Sequence, residues 1–255
     1  ELETLTIQDG QSSAGTIDDV INLVDEQIAE VIADAVNSDP EPGSPQEKIK
    51  ILYDNIMDMD ARNAAGYDPI KPDLAAIDAI DNLEDLQTTE LLGGTKLALG
   101  LFVGFGVGID SLDSNVYSMN LVPASAPLSK QTYTGGNDTQ KQAYLKYITT
   151  LLTLCGWDEA QAARDAQAVF NFDAKLSAAS LSPADQYDLE KIYNVYSYED
   201  LCSEFPTVDI NAVYEKVGYQ PTDTVIVGDV GLMECVSGLL TEENLDMLKL
   251  YLKVG

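Results

Sequence analysis

Between Thr16 and Val36 the apolar residues Ile17, Val20, Ile21, Val24, Ile28, Val31, Ile32 and Ala35 recur at steps of three and four. That is the period of one helical face, and it excludes a half-buried strand, whose side chains alternate at every second residue. The same period returns after almost every break in the chain, so the sequence predicts a mainly α fold built from successive amphipathic helices.

The breaks carry their own chemistry. Thr16 with Asp19 reads as a capping box, and Asn37 to Gly43 reads as a stop, because proline removes an amide donor and asparagine and glycine favour turns. Ser44, Pro45 and Glu47 start a second helix carrying Ile49, Leu52, Tyr53, Ile56 and Met57, with Gly66 as its end. Pro72 opens a third with Leu74, Ile77, Ile80 and Leu83 on one face, and Asp85 or Thr88 opens a fourth running toward Leu99. Further on, Asp138 or Thr139 caps a long helix with Tyr144, Tyr147, Ile148, Leu151 and Leu154 on its buried side, closed by Gly156. Helices are expected over 158–179, from Ser182-Pro183, from Ser197 to Pro206, from Asp209 to Gly218, through Met233 and Leu239, and from Thr241 to the last residue.

One stretch departs from this pattern. In 101–109 large apolar residues alternate with Gly104, Gly106 and Gly108, and 116–122 is a second extended run beyond the turn 110–114. Together they predict a β-hairpin. The glycines do not form a dinucleotide fingerprint, since Ile109 stands where the last glycine would be needed, so close backbone packing is the expected reason for them. Val225-Ile226-Val227 is a brief strand candidate. The expected organisation is a single helical lobe, 1–255, with a first helical half at 1–100, the β-hairpin at 101–124 and a second helical half at 137–255.

Composition then limits the chemistry. The chain contains no histidine, so neither a histidine-activated nucleophile nor an H-E-x-x-H zinc site can be written. Cys155, Cys202 and Cys235 lie too far apart for a metal knuckle and are expected as buried thiols. Lys and Arg number 14 against 43 Asp and Glu, a formal charge of -29, which repels phosphate backbones and excludes nucleic acid as a natural partner. The carboxylates Asp54, Asp58, Asp60 and Asp68 cluster, but Asn63 occupies the turn-glycine position of a calcium loop, so a solvated face is the simpler reading. Paired carboxylates for glycoside hydrolysis lack the barrel or sandwich that usually carries them. The tyrosines at 187, 193, 196 and 198 recur at helical spacing and read as packing. No run is long and apolar enough to span a bilayer. The first residues, ELETLTIQDG, are neither a signal peptide nor an initiator start, so the chain is expected to begin in mid-sequence and its final helix to continue.

Several motifs, in order, resemble the amino-terminal lobe of the neprilysin family of zinc metallopeptidases. Gly15-Thr16-Ile17-Asp18 is similar to the family's G-x-F-D helix start, and Lys50 to Asn55 to its K-x-x-Y helix. Leu101-Phe102-Val103 through Ile109-Asp110 and Ser114-Asn115-Val116-Tyr117 resemble its hairpin. Pro127 to Tyr133 is similar to its L-P-x-x-x-Y-Y segment, Tyr144 to Ile148 to the helix that follows, and Leu248 to Leu252 to its L-x-x-Y-L helix.

The resemblance implies a two-lobed endopeptidase with zinc and the catalytic residues on a carboxy-terminal lobe absent from this chain. This chain would then be the non-catalytic lobe, with no catalytic residue, metal ligand or cofactor of its own. It would restrict access to the peptide cavity and line it with Gly15, Ile17 and Asp18; first-turn packing and helix-dipole stabilisation are the simpler roles for the last two. Its partners would be the catalytic lobe of the same polypeptide and the peptide substrate, and its place extracellular or at the cell surface. Ser13 and Ile21 stand where the animal enzymes carry two arginines, so a preference for a free substrate carboxylate is not implied. The alternative is a stand-alone acidic helical interaction module at the cell surface.

Overall fold

The computed structural model describes residues 15–88, 102–218, 220 and 222–255. The chain divides into two compact units, Glu1–Gly66 and Tyr67–Gly255.

In the first unit, α1 (Thr16–Asn37) packs against α2 (Pro45–Met57), and α3 (Met59–Ala65) follows. Lys50 on α2 ties the two long helices by donating to the carbonyls of Val36 (2.6 Å) and Ser38 (3.0 Å), the last acceptors of α1 that no helical amide reaches. Ser44 caps α2 as its sequence predicts, accepting from Glu47 N. Two expectations are corrected. Gly15, not Thr16, is the residue preceding α1, and the Gly15 carbonyl accepts from Asp19 N at 3.0 Å. The second helix does not run to Gly66: the Asp58 carboxylate accepts from Ala61 N at 2.8 Å, and this fresh cap splits it into α2 and α3.

The second unit is built on a four-stranded sheet. β1 (Val103–Ile109) and β2 (Tyr117–Pro123) form the predicted hairpin, with Phe105 opposite Leu121. β2 then pairs in parallel with β4 (Thr224–Val227), and β4 pairs antiparallel with β3 (Asn194–Ser197), giving the spatial order β1-β2-β4-β3. In β4, Val225, Ile226 and Val227 are all buried, as in a central strand covered on both faces. The sequence pattern marks no strand at β3: its four residues pair with β4, a partner far away in sequence.

Around the sheet lie α4 (Lys71–Asp78), α5 (Leu83–Thr88), α6 (Lys130–Tyr133), α7 (Asp138–Leu154), α8 (Glu159–Ala179), α9 (Leu189–Ile192), α10 (Tyr198–Glu204), α11 (Ile210–Val217), α12 (Val230–Leu239) and α13 (Leu245–Val254). Side chains of Ser197 and Asp209 cap α10 and α11 where expected, Asp158 lies just outside α8 as its cap rather than as its first residue, and Gly156 and Gly218 follow α7 and α11 with positive φ. Other boundaries move. Asn137 rather than Asp138 or Thr139 caps α7, and Asn82 accepts from Asp85 N at 2.7 Å, so α5 begins before Asp85; 89–99 lie outside the described residues. Ile80 and Leu83 lie past the end of α4, although Ile80 is still buried.

The main core gathers Leu121, Val225 and Val227 from the sheet, Leu232, Met233 and Val236 from α12, Phe172 and Leu176 from α8, and Leu248 and Leu252 from α13. A second cluster joins Ile148 and Leu152 of α7 to Ala162, Ala166 and Val169 of α8. The alanines keep that helix pair close. Each buried Leu or Ile here stabilises by roughly 2 kcal/mol against its exposed state. Tyr147 and Leu154, expected on the buried side of α7, are exposed, because the face that meets α8 is narrower than the apolar stripe. Tyr187 is exposed as well. The hairpin glycines do not answer to crowding: a Cβ would meet nothing closer than 3.8 Å at Gly104, 3.6 Å at Gly108 and nothing within 4 Å at Gly106.

Candidate functional site

The residues singled out in the sequence, Gly15, Ile17 and Asp18, come together at the start of α1. Gly15 has an extended backbone (φ 172°), so any residue fits there sterically, and a Cβ on it would lie 3.7 Å from Asp18 Oδ2. Ile17 is 76% exposed, and Asp18 and Asp19 place carboxylates at the positive end of the helix dipole.

Beyond them an apolar stripe continues. Val20, Ile21, Val24, Ile28 and Val31 on α1 and Ile51, Leu52 and Ile56 on α2 are exposed, and Ala35 is the one residue of α1 that is buried. Sequence periodicity marked this stripe as a packing face; the described residues of its own unit leave it largely uncovered.

Acid groups dominate the polar surface. Among the described residues, ion pairs such as Lys71 with Asp68 (2.5 Å) and Lys253 with Asp78 engage few of the chain's 43 carboxylates. Among the described residues no group of three or more Cys, Asp or Glu side chains converges to hold a metal ion, and the chain has no histidine to complete one. The described residues therefore do not fit a zinc site. Asp58 serves as the α3 cap and Asp68 as the Lys71 partner, so the suspected calcium cluster is divided among local structural tasks. Cys155, Cys202 and Cys235 are free and partly rather than fully buried; burial pushes the Cys155 and Cys235 thiols up, away from reactivity.

One polar constellation was missed in the sequence. Asp173, in the middle of α8, is fully buried, and Tyr144 of α7 donates to its Oδ2 at 2.8 Å. The phenols of Tyr133 and Tyr251 also act on this carboxyl, and burial pushes it up to about 6 despite the three donors. The same burial and the neighbouring carboxyl raise all three tyrosines, which stay protonated as donors. Two of these tyrosines, Tyr144 and Tyr251, also border a cleft of about 380 Å³ with Pro127, Tyr147 and Val169. The spacing of Tyr144 and Asp173 on separate helices carries no sequence signal; only an apolar helix face interrupted by an acid could have pointed to it.

The described residues of the larger unit form a mainly helical domain around a small mixed sheet. The model of peptidase family M13, in its amino-terminal part, matches residues 2–255, and the chain belongs to that family. It is 23% identical over 257 residues to the neutral endopeptidase of Lactococcus lactis subsp. cremoris, with 98% of this chain and 40% of that protein covered. In fold it is similar to the zinc metalloprotease Zmp1 of Mycobacterium tuberculosis in complex with inhibitor, with a TM-score of 0.80 at 20% identity over 99% of this chain and 39% of that one. PepO from Lactobacillus rhamnosis gives a TM-score of 0.70 at 16% identity, covering 91% of this chain and 38% of that one. The chain thus spans about 40% of the length of the relatives it matches.

Proposed function

We propose that this chain is the non-catalytic amino-terminal lobe of a zinc metalloendopeptidase, restricting access to the peptide cavity and lining it through Gly15, Ile17 and Asp18. The observation that carries the reading is the family match over nearly the whole chain, joined to relatives more than twice its length. The uncovered apolar stripe on α1 supports it, since a lobe that meets a larger partner needs such a face. Zinc and the groups that activate water belong to the carboxy-terminal lobe, and this chain supplies no ligand to the metal. The parent acts outside the cell or at its surface; no helix of the described residues is long and apolar enough to cross a membrane.

The test compares this chain with the product of its complete reading frame. The parent is expected to bind one zinc by elemental analysis and to cleave peptides, and the chain alone to do neither. Tight stoichiometric zinc with turnover by the chain alone refutes the reading, and a stop codon directly after Gly255 favours the acidic interaction module. In the parent, Ile17→Ala is expected to lower kcat/KM about tenfold for peptides without altering zinc content. An unchanged kcat/KM removes Ile17 from the cavity.

A further inference from the structure

We propose that Asp173 is a pH-sensitive latch: uncharged, it lets α6, α7, α8 and α13 close on a dry seam, and charged, it loosens that seam. The inference is independent of whether the parent is a peptidase. It rests first on geometry. Asp173 is 0% exposed, Tyr144 of α7 donates to Oδ2 at 2.8 Å, and Oδ1 makes no hydrogen bond of standard geometry. A buried carboxylate so incompletely satisfied is costly to ionise, whereas the protonated acid has a single O–H to place.

The groups around it offer no compensating cation. Tyr133 of α6, Tyr144 of α7 and Tyr251 of α13 act on the carboxyl, and all three are neutral phenols. The rings frame the site: Tyr133 packs on Phe170 with centroids 5.0 Å apart, and Tyr251 on Phe172 at 4.8 Å. Four lysines of these elements are engaged elsewhere. Lys130 of α6 donates to the carbonyls of Ala178 and Ser180, and Lys141 of α7 lies over the Phe170 ring. Lys249 of α13 donates to the carbonyls of Asp78 and Ile80, and Lys253 pairs with Asp78. From α12, the other long helix on α8, the thiol of Cys235 lies against the carbonyl of Lys175.

The sequence makes this group unusual in a second way. With no histidine in the chain, the ordinary side chains that change charge between pH 5 and 8 are missing. Among the described residues, Asp110 and Asp185 are shifted down, Cys155, Cys235 and the shifted lysines and tyrosines up, and Asp173 alone moves into that window.

The direction follows from linkage. The folded-state value, about 6, lies above the value near 3.8 expected of the unfolded chain. The stabilisation by the neutral acid is therefore complete below about pH 4, declines as the unfolded chain ionises, and is gone once the pH passes the folded value. The whole span corresponds to roughly a hundredfold in the folding equilibrium, of which about tenfold falls between pH 5 and 7.

The experiment is urea unfolding of the full chain at half-unit steps from pH 5 to 8, for the wild type and Asp173→Asn, which keeps the shape and cannot ionise. The wild-type folding constant is expected to fall about tenfold from pH 5 to 7 while that of Asp173→Asn changes less than about twofold. Parallel pH dependences overturn the proposal. Carbon-13 NMR of the Asp173 carboxyl in the wild type gives a reading that needs no variant: an inflection near 6 supports the latch, and one below about 4.5 overturns it. Tyr144→Phe, which removes a donor favouring the charged form, is expected to move that inflection upward; a downward move also overturns it.

Discussion

Asp229 joins two parts of the larger unit through one carboxylate. It sits between β4 and α12, where Oδ1 accepts from Leu232 N at 2.9 Å as the α12 cap and Oδ2 accepts from Leu181 N at 2.7 Å, beyond the end of α8. Asp229→Ala removes both acceptors. A lost helix cap costs about 1 kcal/mol, and a partly buried amide left without its charged acceptor costs about 1.5 kcal/mol more, so the expected loss is about 2.5 kcal/mol. For a unit of this size that corresponds to a drop in Tm of roughly 5–10 °C. Asp229→Asn keeps one oxygen for the cap but turns an amide toward Leu181 N–H, and should lose about 1–1.5 kcal/mol. Asp209→Ala, which removes a cap accepting from Ala212 N alone, is the single-bond control, at about 1 kcal/mol. Urea unfolding followed by Trp157 fluorescence reads the right unit, because Trp157 is the chain's single tryptophan and packs against the α7–α8 cluster. A loss below about 0.5 kcal/mol for Asp229→Ala, or equal losses for the Ala and Asn variants, would refute the two-bond account.

Two further substitutions probe the same unit. Gln87 is 6% exposed and its Oε1 accepts from Asp209 N at 2.7 Å; Gln87→Leu strands that amide and is expected to cost about 1–3 kcal/mol, measured as a lower urea midpoint with unchanged slope. Gly218 follows α11 with φ +72° and open space around its Cβ direction, so Gly218→Ala should cost about 1 kcal/mol from the left-handed backbone alone, while Gly218→Asn should recover part of it.

The caps were the most legible feature. Ser44, Ser197 and Asp209 act where their spacing placed them, since a side-chain oxygen reaching an amide three residues on is a local event that needs no distant partner. The Asp58 break escaped prediction because the apolar period continues across it, and a local cap competes with helix propagation on nearly even terms. At the proposed cavity wall, Gly15, Ile17 and Asp18 were legible as a helix start, and the structure adds that Ile17 is exposed. Asp173 was not legible at all, being one acid among 43 until folding enclosed it with three tyrosines.

The sequence by itself determined the mainly helical class, the hairpin, the caps at Ser44, Ser197 and Asp209 and the exclusion of histidine-dependent chemistry, because each rests on local periodicity or on composition. Tertiary structure decided the rest: the strand at 194–197, which exists through its pairing with β4; the side of α7 that is buried, which α8 sets; and the state of Asp173. Burial and strand pairing depend on groups far apart in the chain, and no local pattern encodes the dielectric around a single carboxyl.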